Sequence, residues 1–159
     1  MAIKEGEKLP EANLFVLSEG RPTQLSVNDL TAGKKTVIFA VPGAFTPTCS
    51  EQHLPGYVRN LSELKAKGVD EVVCVSVNDP FVMDAWGKDR NAEGIVMASD
   101  GNGEFAESLG LVMDGSGFGL GKRSQRYAMI VDDGVVSKLA VESAGGFDVS
   151  KAESILEAL

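Results

Sequence analysis

Histidine and cysteine are nearly absent. His53 stands alone, and Cys49 and Cys74 are the only thiols. So few ligands make no Cys/His zinc site, two thiols make no disulfide scaffold, and no CxxC pair is present for thioredoxin-type exchange. No metal or cofactor is expected. Apolar runs fall well short of the ~18 residues that a membrane-spanning helix needs, so no membrane partner is expected either. Positive charge is also scarce: 15 Lys+Arg face 23 Asp+Glu, for a net charge of −8. Such an acidic chain is a poor partner for nucleic acid or anionic lipid. Met1–Pro10 is charged and lacks the apolar centre of a secretory leader, which points to the reducing cytosol.

What is present is ordinary globular material. A length of 159 residues, 43% hydrophobic and 24% charged, predicts one domain over 1–159. Asn13–Leu17 and Thr23–Val27, around Glu19–Pro22, predict an N-terminal hairpin. Thr36–Val41 and Glu71–Val77 are continuous β-branched runs, the pattern of strands buried on both faces. Between them Leu54, Tyr57, Val58, Leu61 and Leu64 recur at helical spacing, with Pro55 bending or opening that helix. Asp79 as cap and Pro80 at the first position open a helix to about Arg90, with Trp86 in the core.

Ile95–Ala98 reads as a strand and Gly103–Leu109 as a short helix. Gly115, Gly117, Gly119 and Gly121 read as a mobile loop that fits neither GxGxxG nor a P-loop. Arg126–Val131 and Val135–Val141 form a hairpin over Asp132–Gly134. Asp148 or Ser150 caps a final helix bearing Ile155, Leu156 and Leu159. This order predicts an α/β fold, a mixed central sheet with helices on both faces. It fits a thioredoxin-like sheet and leaves a flavodoxin-like one open.

In open α/β sheets, ligands bind at the carboxyl ends of the strands. Pro42–Thr48 leaves such an end, and Cys49 falls in the first turn of the helix that follows. There the free amides and the dipole favour an anionic sulfur by typically ~0.3–1 kcal/mol. That is too little to ionise an ordinary thiol at neutral pH, so a cation has to supply the rest. Cys74 sits mid-strand, ~10 Å below the crevice, beyond the ~7 Å reach of a disulfide without local unfolding. It reads as core.

Pro42-Gly43-Ala44-Phe45-Thr46-Pro47-Thr48-Cys49-Ser50 resembles the peroxidatic-cysteine signature of the peroxiredoxins. The likeness is to the type II (peroxiredoxin-five-like) branch of the AhpC/TSA–redoxin superfamily. His53–Tyr57, Val75–Met83 and Arg126–Met129 extend it in order over essentially the whole chain. It implies a thioredoxin-like fold and a thiol-dependent peroxidase that reduces hydrogen peroxide and alkyl hydroperoxides. It also implies that Cys49 is the catalytic thiolate and becomes sulfenic acid. Thr46 would present its hydroxyl to the peroxide, and Arg126 would stabilise the thiolate and the developing charge. Pro42 and Gly43 would shape the substrate pocket together with Thr46 and Arg126. Gln52, three residues after Cys49, is expected on the same helical face, orienting the arginine. His53 reads as structural or at the pocket rim, and Phe118 and Leu120 as candidates for a pocket wall or a dimer contact.

By itself, an arginine opening a strand reads as a solvated or salt-bridged residue; the resemblance alone places Arg126 in the site. Some relatives carry a resolving cysteine near the C-terminus, but Val141–Val149 holds none. This departure favours a one-cysteine cycle, with glutathione and glutaredoxin, or thioredoxin, as reductant. A homodimer is implied by the resemblance only. The competing reading is a redox-sensing binding protein whose oxidised Cys49 signals without turnover. Thr46 and Arg126 suit peroxide activation better.

Overall fold

At the centre of the computed structural model, which describes residues 2–159, β3 (Lys35–Ala40) and β4 (Glu71–Ser76) run parallel. β5 (Val96–Ser99) continues the parallel set beyond β4. On its far side lie β1 (Asn13–Ser18), antiparallel to β5, and the edge strand β2 (Arg21–Ser26), antiparallel to β1. β8 (Tyr127–Asp132) pairs antiparallel with β3, and β9 (Val135–Val141) with β8. The order is β2-β1-β5-β4-β3-β8-β9. A flavodoxin-like sheet, parallel throughout, is excluded by β8 beside β3. The mixed sheet is thioredoxin-like.

Side chains of β3 alternate between two cores, as a period of two requires. Val37 and Phe39 face α2 (Leu54–Ala66), α3 (Pro80–Asp89) and α5 (Ala152–Ala158), as Cys74 does. Ile38 and Ala40 face the other way, towards α1 (Val27–Thr31) and α4 (Glu104–Leu109). The Asp79 side chain accepts from Val82 N at 2.8 Å and Pro80 takes the first turn, as expected for α3.

Three local expectations are corrected. The N-terminal turn is only Glu19 and Gly20, at φ 51° and 76°, the left-handed pair of a two-residue hairpin. Arg21 and Pro22 therefore belong to β2, an edge where a missing N–H is tolerated. Val27 opens α1 rather than closing a strand, because the Ser26 side chain accepts from Asp29 N and starts a helix. The glycine run is the loop that joins β6 (Val112–Asp114) to β7 (Lys122–Ser124), a two-stranded ribbon with Gly115 N donating to Gly121 O at 2.7 Å. Finally, neither Asp148 nor Ser150 caps α5. Lys151 stands at that position without a side-chain bond, and Ser150 is engaged elsewhere.

Candidate active site

The chain leaves the sheet after Val41, whose N–H still donates to Val75 O at 3.0 Å. The loop beyond is held at three points. Ala44 N donates to Asn78 Oδ1 at 2.9 Å, the Thr46 hydroxyl donates to Gly43 O at 2.6 Å, and Arg123 Nη1 donates to Pro42 O at 3.2 Å. Gly43 has no room for a side chain: a Cβ would lie 3.0 Å from Arg123 Nη1 and 3.1 Å from the Thr46 methyl. Phe45 sits at φ 64°, a costly conformation for a bulky residue, with its ring half exposed 6.5 Å from Trp86.

After the loop, Cys49–His53 form a π-turn, and Leu54 N donates to Cys49 O. The cause lies two residues beyond the turn. In a regular helix the Pro55 ring would meet the Glu51 carbonyl, and its missing N–H would leave that carbonyl unpaired; the wider turn absorbs both problems. It also changes which residues share a face. Gln52 swings out to solvent and makes no hydrogen bond among the described residues. His53, one position on, is fully buried on the side of Cys49.

Arg126, just before β8, reaches both. Its Nη2 donates to Cys49 Sγ at 3.1 Å and its Nη1 to His53 Nδ1 at 2.8 Å. A guanidinium only donates, so His53 Nδ1 is the bare acceptor and the ring proton is on Nε2. That Nε2 donates to Ser150 O at 3.1 Å, an oxygen that also accepts from the Tyr57 hydroxyl at 2.8 Å. Burial, and then the Arg126 charge, push the His53 pKa down to about 3, so the ring is neutral near pH 7.

The next link is Glu142. Its Oε2 accepts from Ser150 N at 2.8 Å, from the Ser150 hydroxyl at 2.7 Å and from Asp148 N at 2.7 Å. Burial alone would raise the Glu142 pKa, but these bonds outweigh it and hold the carboxyl below its ordinary range. The Arg126 guanidinium lies 5.8 Å from the centre of the Phe147 ring. Sulfur, guanidinium, imidazole, Ser150 and carboxylate thus form one connected chain.

A cavity of about 620 Å³ opens beside this chain. Pro42, Thr48 and Arg126 line its inner end, Val112, Met113 and Phe118 of the ribbon one wall, and Ser143–Gly146 the other. Cys49 is fully buried and follows Thr48 of the lining in the chain. Of the residues singled out in the sequence, Cys49 and Arg126 are in contact, Pro42 lines the cavity, and Gly43 and Thr46 form the adjoining loop. The expectation for Gln52 is corrected: the contact with the arginine belongs to His53, because the π-turn rotates position 52 away. Phe118 is on the wall, whereas Leu120 is not and offers only its carbonyl, to Arg123 Nε at 2.9 Å.

Cys74 lies fully buried in β4, and its sulfur makes no hydrogen bond among the described residues. Among the described residues no group of three His, Cys, Asp or Glu side chains can hold a metal ion, and no helix is long and apolar enough to cross a membrane. The parts that sequence reasoning missed are the His53 contact, the Glu142–Ser150 link and Arg123. The one local signal was Pro55, whose position inside a helical pattern announced an irregular turn.

A buried sulfur under a guanidinium, with an apolar cavity alongside, suits attack by a thiolate on a small electrophile whose leaving group gathers negative charge. Known proteins point the same way. The redoxin family profile matches residues 4–156. Peroxiredoxin-2E, chloroplastic, of Arabidopsis thaliana is 51% identical over 99% of this chain and 70% of its own length. Peroxiredoxin-2B of the same plant is 48% identical over 99% and 98%. A crystal structure of reduced Prx3 from Vibrio vulnificus in complex with H2O2 superposes with a TM-score of 0.95, at 57% identity over 98% of each chain. The chain belongs to the peroxiredoxin family and is a thiol-dependent peroxidase.

Proposed function

We propose that Cys49 reduces hydrogen peroxide and alkyl hydroperoxides in a one-cysteine cycle. The thiolate attacks one peroxide oxygen. An S–O bond forms as the O–O bond breaks, and the departing alkoxide or hydroxide takes a proton from solvent and leaves as alcohol or water. Cys49 is then a sulfenic acid. The observation that carries this reading is the Arg126 guanidinium, 3.1 Å from the sulfur and held at 2.8 Å by a neutral His53. One N–H steadies the thiolate, and the same group lies where charge builds on the leaving oxygen. Thr46, with its proton given to Gly43 O, presents its oxygen as an acceptor that orients the peroxide. The Vibrio vulnificus structure, which holds H2O2, supports the smallest substrate, and the apolar ribbon wall suits an alkyl group. Because Cys49 is fully buried, the Pro42–Thr48 loop has to shift for contact with the cavity.

The sulfenic acid is then reduced by an external thiol: glutathione with glutaredoxin, or thioredoxin, in a reducing compartment such as the cytosol. Support comes from Cys74, whose pKa is pushed well up by burial and then by the neighbouring Cys49 charge, leaving it an unreactive thiol. The exposed rings of Phe45, Phe81 and Phe118 support a homodimer through the surface around the site. Stopped-flow fluorescence of Trp86, which donates to the hydroxyl of Ser50 next to Cys49, tests the reading directly. Rapid oxidation with hydrogen peroxide, followed by turnover with an added thiol, is expected. A rate no faster than that of a free thiol sinks the peroxidase cycle, and fast oxidation without turnover leaves a redox sensor.

A further inference from the structure

Arg123 is a half-buried cation with no carboxylate partner among the described residues; both of its hydrogen bonds go to main-chain carbonyls. One bond, to Leu120 O, stays within the β6–β7 ribbon. The other, to Pro42 O, crosses to the loop that carries Thr46 and leads to Cys49. At its root the two arms of the ribbon are joined by Gln125 N to Leu111 O at 2.8 Å and by Gln125 Nε2 to Val112 O at 3.3 Å. Beyond that root, the Arg123–Pro42 bond is the one hydrogen bond between ribbon and loop among the described residues. The closeness of Gly43 to Nη1 shows that loop and guanidinium are packed as well as bonded. The same ribbon supplies Val112, Met113 and Phe118, the apolar wall of the cavity.

We infer that Arg123 is a positioning residue: it docks the ribbon on the Pro42–Thr46 loop and so sets how well the enzyme takes bulky organic hydroperoxides relative to hydrogen peroxide. The inference rests on the peroxidase reading above. A large hydroperoxide reaches from Arg126 to the ribbon wall, and loses contacts when the wall retracts. Hydrogen peroxide touches only the inner end. A planar fork with fixed donor directions serves two carbonyls at once, which the single ammonium of lysine does not reproduce.

The test is the rate constant of Cys49 oxidation, read by Trp86 fluorescence, with hydrogen peroxide and with cumene hydroperoxide, in the wild type, Arg123→Gln, Arg123→Lys and Phe118→Ala. In Arg123→Gln the ratio of the cumene hydroperoxide rate to the hydrogen peroxide rate is expected to fall about tenfold. Phe118→Ala is expected to shift the same ratio, and the double variant to add little, since both act through one wall. A purely structural role lowers both rates together. That result, an unchanged ratio, or fully additive effects overturns the inference. Should Arg123→Gln fail to fold, Arg123→Lys decides on the same ratio. A wild type that reacts no faster than free thiol with either peroxide overturns the peroxidase reading itself, a distinct result.

Discussion

Cys49 and Cys74 differ in chemistry while sharing nearly everything else. Both are fully buried, both belong to the core between the sheet and α2, and both are free thiols. One begins a helical turn under a guanidinium; the other is held inside β4 with no hydrogen bond to its sulfur. Burial therefore does not distinguish the two thiols. What differs is the guanidinium on Cys49, kept in place by His53, and on the proposed cycle that contact is what makes Cys49 the reactive one. The same cation makes no hydrogen bond to Cys74, whose pKa burial pushes well up.

The strongest way to break the comparison is to exchange the fates of the two thiols. Cys49→Ser is expected to abolish peroxidase activity. Cys74→Ala is expected to keep activity within about twofold and to cost about 1–2 kcal/mol of stability, a melting point lower by several degrees. Peroxide turnover and calorimetry on both variants check this, and equal loss of activity would end the distinction. Next in size, Arg126→Met is expected to slow Cys49 oxidation by about 10²–10³-fold, the scale of a lost charge-stabilising donor. Thr46→Val follows, with oxidation slowed about tenfold and the fold intact by circular dichroism, because one peroxide-orienting acceptor is removed.

The smallest expected effect concerns what holds the cation. His53 is neutral in the folded state down to about pH 3 but titrates near its ordinary 6.5 when unfolded. Between those values the unfolded chain binds one proton more, so the contribution of His53 to stability is complete above pH 6.5 and is lost as pH falls, by about 1.4 kcal/mol per unit. Urea titrations at several pH values are expected to show this slope in the wild type and a slope smaller by one proton in His53→Gln. The glutamine oxygen is still an acceptor for Arg126, so His53→Gln is expected to retain more activity than His53→Leu.

Much of the frame was legible because it rests on local pattern. The β-branched runs of β3 and β4, the Asp79–Pro80 start of α3 and the Asp132–Gly134 turn each carry their own signal over a few residues. The helix start at Cys49 was legible for the same reason. Contacts closed by folding were not. Arg126 is 77 positions from Cys49 and 73 from His53, and nothing in periodicity brings them together. Gln52 misled because three-residue spacing assumes a regular helix, whereas Pro55 forces a π-turn that presents position 53 instead. Ser150 looked like a helix cap by composition, but Glu142 competes for its hydroxyl and its N–H, and a buried carboxylate needs those donors more than a short helix does.

The most direct measurement of the central claim is the intact mass of the protein after one equivalent of hydrogen peroxide without reductant, with dimedone present and peptide mapping to follow. A single dimedone adduct on Cys49, with Cys74 unmodified, is the result this account predicts. A disulfide between Cys49 and Cys74, or an adduct on Cys74, would contradict it.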